Sequence, residues 1–192
     1  MRRLAPALAA LALAGLVAGV PAAGAKRAPR CPPKGAPVVQ KTARAVVFIR
    51  ESTGAYIGCL RPRGKTRRLA TPDDIYSSVD AVALAGRFAA YVFAETPACK
   101  ADCPPDVTGS GHVEVVDLRT GRRAATRALG VTAFALTRTG TAGYLVADGL
   151  HAVNATGDVV LDTGDIPPES VKAVGTTIQW TKGGVAQSRD FP

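Results

Sequence analysis

Short strand patterns that recur between glycine turns constrain the fold of this chain most. From about Pro37 onward, runs rich in Val, Ala, Thr and aromatic residues alternate with Gly or Pro turns. Their spacing, roughly 8 to 12 residues, is typical of all-β sandwiches, barrels and repeat arrays. No segment sustains the apolar period of an amphipathic helix, and only Thr71-Pro72-Asp73-Asp74 indicates a helix start, of about one turn. The sequence therefore predicts an all-β fold.

The runs repeat in a fixed order. Four of them follow a small or Gly turn and carry one large residue near the middle, at Phe48, Tyr91, Tyr144 and Trp180. We label such a run strand b, the strand before it a, and the two strands after it c and d. Strand b is predicted at residues 43–49, 86–93, 140–146 and 175–180, and strand c at residues 56–64, 113–121 and 150–157. Strand d is predicted at residues 65–69, 122–129 and 158–161, and strand a at residues 79–84, 131–136 and 171–174.

This order gives four units. The second and third contain all four strands, and the fourth, residues 170–191, lacks strand d. In one interpretation Val38 and Val39 supply strand a of the first unit; in the alternative, residues 37–40 pair beside the fourth unit and close a ring. Four-stranded sheets repeated along a chain resemble the blades of β-propellers. The resemblance covers residues 38–191 and is one of strand order, since Thr181 follows Trp180 and the Trp-Asp signature is absent.

The resemblance implies an all-β, propeller-like domain of four repeated antiparallel four-stranded units at residues 38–192. Such sheets stack because each has an apolar face that it cannot cover alone. Both a small closed propeller and an open array fit the pattern.

The N-terminus predicts export. Arg2 and Arg3 give a basic start, residues 4–20 carry no charge, and Ala23-Gly24-Ala25 precedes Lys26. These are the three parts of a cleaved secretory signal peptide, which we place at residues 1–25, before an extended Pro-rich and basic arm at residues 26–37. An uncleaved N-terminal anchor is the alternative. We expect a protein that is secreted or held in the cell envelope, and the excess of Arg over Lys indicates a bacterial source.

Four cysteines suit an oxidising compartment. Of the three pairings that they allow, we favour Cys31 with Cys59 and Cys99 with Cys103. The first bond would tie the arm to a predicted strand. A metal site at Cys99, Cys103 and His112 lacks a fourth ligand at any recognised spacing, so we predict no metal and no cofactor.

Candidate catalytic residues are few. His112 and His151 each stand near the start of a predicted strand, and the chain contains neither a nucleophile elbow nor a phosphate-binding glycine loop. The carboxylates of Asp148, Asp158, Asp162 and Asp165 cluster in sequence, but Asp and Gly also simply make turns. We therefore assign no catalytic residue.

Basic residues suggest an anion-binding surface. The chain carries a formal charge of +9, and two dense groups fall on equivalent turns between strands c and d. The candidate anion-binding residues are Arg63, Lys65, Arg67, Arg122 and Arg123. Such a stripe would attract phosphate-bearing polymers or anionic headgroups, or it would simply protect exposed strand edges. We expect no nucleic-acid partner, because no set of stacking aromatics accompanies the charges.

Three functions fit these observations. The leading hypothesis is an exported, non-catalytic β-repeat module that binds a partner protein or supports structure at the cell surface. The alternatives are a binder of an anionic cell-envelope polymer through the Arg-rich hairpins and a secreted hydrolase with its site at the central channel. After signal cleavage we expect no membrane span, and a homodimer that completes the array is a further hypothesis.

Overall fold

The computed structural model describes residues 31–62, 64–73, 76–96 and 109–192. Within these residues the chain forms four separate antiparallel sheets that follow one another in sequence, which confirms the all-β prediction. One short 3-10 helix, Pro168–Ser170, lies between the third and fourth sheets. No helix in the described part of the chain is long and apolar enough to cross a membrane. The predicted signal peptide lies outside the described residues.

Each sheet uses its strands in chain order. The first contains β1 (Val38–Lys41), β2 (Ala45–Arg50), β3 (Ala55–Leu60) and β4 (Lys65–Arg68). The second contains β5 (Ser77–Ala85), β6 (Phe88–Glu95), β7 (Ser110–Asp117) and β8 (Arg123–Arg127). The third contains β9 (Ala133–Leu136), β10 (Ala142–Val146), β11 (Gly149–Asn154) and β12 (Gly157–Asp162). The fourth contains β13 (Lys172–Val174), β14 (Thr177–Lys182) and β15 (Val185–Asp190).

The predicted strand order is confirmed, with two corrections. β1 pairs with β2, so that Val38 lies opposite Phe48, and the fourth sheet consists of β13, β14 and β15. The alternative in which residues 37–40 complete the fourth unit is therefore wrong. Residues 71–73 are irregular rather than the start of a helical turn. The main-chain N–H of Asp73 donates to the Ser77 hydroxyl at 3.0 Å, and this bond connects Asp73 to the start of β5.

Apolar side chains fill the space between successive sheets. Val47 and Leu60 of the first sheet pack with Tyr91 of the second. Equivalent clusters lie between the second and third sheets and between the third and fourth sheets. The first strands also pack in succession, β1 against β5, β5 against β9 and β9 against β13. The sheets therefore stack side by side as the strand order predicts.

The four large residues of the second strands occupy equivalent places. Phe48, Tyr91, Tyr144 and Trp180 are all buried, and the last three belong to the clusters that face the preceding sheet. Phe48 has no preceding sheet, and it packs instead in a cluster that includes Cys31 and the arm. In the last three sheets the large residue of the second strand therefore packs against the sheet before it.

The arm is bonded to the first sheet. Cys31 forms the predicted disulfide with Cys59 in β3, and Ala36 packs against the same cluster. The arm thereby takes the place of a sheet on the outer face of the first sheet. The second predicted bond, between Cys99 and Cys103, lies outside the described residues.

One glycine is required where β10 turns into β11. Gly149 has a φ of +145°, which side chains of L residues rarely adopt. A Cβ there would also collide with the main-chain oxygen of Asp162. Only glycine therefore lets β12 approach this turn so closely.

Candidate anion-binding site

The turns between the first two strands of all four sheets gather at one end of the array. Arg138 donates its main-chain N–H to the oxygen of Gly175 at 2.9 Å, and Thr139 donates its hydroxyl to the oxygen of Phe191 at 2.7 Å. These bonds join the turns of the third and fourth sheets. Together with Pro192, the turns of the first three sheets line a depression of about 800 Å³. We call it the turn depression.

Three arginines line the turn depression. Arg44, Arg87 and Arg138 come from the equivalent turns of the first, second and third sheets, and none of the lining residues carries a carboxylate side chain. Their main chains are held in place. The oxygen of Arg44 accepts the N–H of Arg61 at 2.8 Å, and the oxygen of Arg87 accepts the N–H of Leu118 at 3.0 Å. The cations are thus carried on fixed backbone, an arrangement that suits anion binding.

The three guanidinium groups differ in their partners. Arg87 pairs with the buried carboxylate of Asp117 at 3.2 Å, and its guanidinium carbon lies 4.9 Å from the centroid of the Phe88 ring. Asp117 itself accepts the main-chain N–H of Arg119 at 2.8 Å. Arg44 and Arg138 are exposed, and within the described chain neither guanidinium forms a hydrogen bond or an ion pair. Arg87 is therefore held in position, while Arg44 and Arg138 keep exposed guanidinium groups. The hydrogen bond from Thr176 and, to a smaller extent, the charge of Arg138 lower the pKa of Asp190.

A second cavity continues the turn depression between the second and third sheets. It has a volume of about 360 Å³, and Phe88 and Phe191 contribute to its walls. Both cavities share Arg87, Phe88, Thr139 and Pro192. The second cavity adds Arg122, Arg123 and the carboxylate of Asp117, which is paired with Arg87, to the aromatic rings. The joined surface therefore combines an excess of cations with aromatic rings, which fits a ligand that is anionic and partly apolar.

Of the residues predicted to bind anions, Arg67 and Arg123 reach across the junction of the first two sheets. Lys65 is exposed on β4, and Arg122 lines the second cavity. Arg67 reaches across to the β7–β8 turn, where Nη2 donates to the oxygen of Arg119 at 3.4 Å. Arg63 lies outside the described residues.

Arg123 takes part in a partly buried network between the first two sheets. Its guanidinium contacts the carboxylate of Glu114 and the main-chain oxygens of Arg68 and Leu69. Tyr91 donates its hydroxyl to Glu114 at 2.6 Å. Burial, reinforced by the hydrogen bond to Glu114, raises the pKa of Tyr91 above its ordinary value. Arg123 therefore joins two sheets and is already paired with a carboxylate.

The histidines belong to the packing of separate sheets. The His112 ring stacks on Phe93 with centroids 5.1 Å apart, and the His151 ring stacks on Tyr144 at 5.2 Å. Neither histidine lines the turn depression or the cavity that continues it. His151 Nε2 lies 3.2 Å from Asp148. Within the described residues, no group of three or more His, Cys, Asp or Glu side chains is placed to hold a metal ion.

Two residues of the acidic cluster seen in the sequence, Asp158 and Asp162, accept hydrogen bonds from side chains of the third and fourth sheets. Asp158 accepts the Tyr144 hydroxyl at 2.9 Å, and Asp165 is exposed. Asp162 accepts Trp180 Nε1 at 2.9 Å and Lys182 Nζ at 2.5 Å. The hydrogen bond from Lys182, followed by that from Trp180, lowers the pKa of Asp162. Asp158 and Asp162 thus anchor aromatic side chains.

The sequence analysis missed Arg44, Arg87 and Arg138 as site residues. The signal is present, because Arg44 and Arg87 each stand directly before the second strand of a unit and Arg138 lies in the equivalent turn of the next. A dense run of charge draws attention in a sequence, whereas single arginines some 40 to 50 residues apart, one per repeat, do not. Only the stacking of the sheets brings them together.

The fold and the turn depression define a four-sheet β-repeat protein with a basic site at one end of the array. No protein family, curated protein or solved structure matches this chain.

Proposed function

We propose that the protein is an exported, non-catalytic binding module that holds an anionic polymer of the cell envelope in the turn depression. One observation carries the proposal: successive sheets each place one arginine in the same depression, which no carboxylate side chain lines. Export is supported by the predicted signal peptide and by the Cys31–Cys59 disulfide, because such bonds persist mainly in oxidising compartments.

The spacing of the cations favours a ligand with several negative groups. Arg44, Arg87 and Arg138 stand on three different sheets, so one small anion would neutralise only part of the site. Guanidinium groups bind phosphate and carboxylate oxygens through paired N–H donors. A chain of such groups can follow the turns from the first sheet to the third, with apolar parts against Phe88.

The binding site at the turns differs from the Arg-rich hairpins predicted from sequence. At the hairpins Arg123 is paired with Glu114 and Arg67 donates to a main-chain oxygen. Lys65 and Arg68 remain exposed there. The two surfaces can therefore be distinguished by substitution.

Polymer binding can be measured with fluorescently labelled polyphosphate by fluorescence anisotropy. The protein is compared with R44Q/R138Q, which removes the two unpaired cations and leaves Arg87 and Asp117 intact. A charged hydrogen bond contributes about 1.5–3 kcal/mol, so we expect the dissociation constant to rise roughly tenfold or more. Raising the salt concentration should weaken binding further, since screening acts on exposed charges.

Two matched variants give the control. R50Q/R127Q removes the same charge from exposed positions outside both cavities, and we expect only a small loss of affinity. K65Q/R68Q removes two cations from the hairpin. Equal losses in R44Q/R138Q and R50Q/R127Q would reject the turn depression, and a large loss confined to K65Q/R68Q would assign binding to the hairpin. Absence of polyphosphate binding at low salt would reject the function.

A further inference from the structure

We propose that the free edge of β15 pairs with β15 of a second copy of this chain, joining two fourth sheets into one continuous six-stranded sheet. The fourth sheet has three strands where the other three sheets have four. β15 is its last strand, and all six residues of β15 are exposed. An edge of this kind presents unpaired N–H and C=O groups that can accept another strand.

The hairpin between β14 and β15 fixes which residues present those groups. Its loop has two residues, Gly183 and Gly184, both with positive φ, and Lys182 pairs with Val185. In such a hairpin the closing pair is hydrogen-bonded and bonded pairs alternate with unbonded pairs. The N–H of Phe191, which donates to Thr176 at 3.0 Å, agrees with this alternation.

Three residues of β15 therefore direct their main-chain groups away from β14. They are Ala186, Ser188 and Asp190. A two-fold axis at Ser188 pairs Ser188 with its own copy, and it pairs Ala186 with Asp190 in both directions. This register uses the outward N–H and C=O groups of all three residues on each strand. Since the register is symmetric, it forms a closed dimer rather than a filament.

The last strands of the four sheets are β4, β8, β12 and β15. Of these, only β15 carries charges that allow it to pair with the same strand of a second copy. β4 carries Lys65, Arg67 and Arg68, and β8 carries Arg123 and Arg127. β12 carries Asp158 and Asp162. Each of these edges would meet like charges in a copy of itself, which destabilises paired strands.

β15 has no net charge, because Arg189 and Asp190 balance each other. In the symmetric register Arg189 lies opposite Gln187 and Asp190 lies opposite Ala186, so no like charges face each other. Val185, which is 60% exposed, lies opposite Phe191 of the second copy. The edge is therefore complementary to itself.

Residues 191 and 192 do not cover this edge. After β15, Phe191 packs against the cluster between the third and fourth sheets, and Pro192 lines the turn depression. The path runs away from the outer edge of β15. Neither cavity of the proposed anion site includes a residue of β15, and the two proposals are tested by different substitutions.

Sedimentation velocity over a roughly hundredfold range of concentration tests the pairing. We expect a reversible dimer of modest affinity, as is typical of small interfaces. Ser188→Lys and Ser188→Glu each place like charges opposite each other across the axis, and each should weaken the dimer at least tenfold. Mixing the two variants should restore a dimer, because Lys then faces Glu.

The mixing experiment also guards against misfolding, since rescue requires both variants to be folded. Ser188→Ala keeps the main-chain N–H and should leave the dimer intact. Ser188→Pro removes that outward N–H and should abolish the dimer, with the circular dichroism of the monomer unchanged. A monomer at every concentration, or a dimer indifferent to the Lys, Glu and Pro variants, would overturn the proposal.

Discussion

Breaking the bond between Cys31 and Cys59 tests how the arm stabilises the first sheet. The two cysteines are 28 residues apart in sequence. The bond holds the arm over a cluster that contains Val46, Phe48 and Ile57. Without the bond, the unfolded chain gains the entropy of an open loop, and the arm is held only by its packing.

The size of the effect follows from the length of the loop. Closing a loop of this length lowers the entropy of the unfolded chain by an amount equivalent to about 3.6 kcal/mol at room temperature. For a protein of this size, that change in the free energy of unfolding lowers the melting temperature by on the order of 10 °C. Loss of the arm from the first sheet would add to this value.

The assay compares oxidised and reduced protein in a C99A/C103A background, so that the reductant acts on one bond. Urea unfolding followed by circular dichroism reports all four sheets, and the side chains are the same in both states. A difference below about 1 kcal/mol would refute the loop-closure argument. If only part of the signal shifts, the first sheet unfolds separately from the rest, as stacked repeats can do.

Three further substitutions probe the packing between sheets. Gly149→Ala should lower the free energy of unfolding by about 2 kcal/mol or more. Gly157→Ala should lower it less, because Gly157 is also at positive φ but has open space around its Cβ. Equal losses of the two variants in urea unfolding would show that the close approach of Asp162 to Gly149 does not matter. Tyr91→Phe should cost about 1–3 kcal/mol against little for the control Tyr56→Phe in the same assay. The folded state lowers the pKa of Asp162, so its ionised form stabilises the protein above the ordinary pKa, and this stabilisation should be lost as the pH falls below about 4. In melting curves recorded at several pH values, Asp162→Asn should show a smaller loss of melting temperature at low pH than the parent protein. The same pH dependence in both proteins would contradict this role of Asp162.

Local patterns in the sequence were enough to predict the sheets. Strands a to d of the second unit match β5 to β8, and the turns after β5 and β7 contain Gly86 and Gly121. The predicted Cys31–Cys59 bond is also confirmed, and it connects the arm to a residue near the end of β3. The strands depend on short stretches of chain, which periodicity describes well.

The site depends on contacts between units, which no single stretch describes. Arg123 looks like a free surface cation in the sequence, but stacking brings it to Glu114 and to main-chain oxygens of the first sheet. Arg138 looks isolated, but stacking places it beside Arg44 and Arg87 in one depression. Charge density along the chain therefore points to the hairpins and gives no sign of the arginines at the turns.

The alternation of side chains identifies the two ends of the array. In β6, Tyr91 faces the first sheet and Val92 the third, so both faces are apolar, as a middle sheet requires. In β14, Ile178 and Trp180 are buried, whereas Gln179 points to the opposite face.

The first and fourth sheets each have an outer face with no neighbouring sheet, and the two faces differ in what covers them. β2 is apolar on both faces, with Val47 toward the second sheet and Phe48 under the arm. The outer face of the fourth sheet is mostly polar, with Lys172 opposite Gln179 and Thr177 opposite the exposed Val174. In the described residues no apolar cluster joins the first and fourth sheets. The arm thus covers the outer face of the first sheet, whereas the outer face of the fourth sheet is left mostly polar.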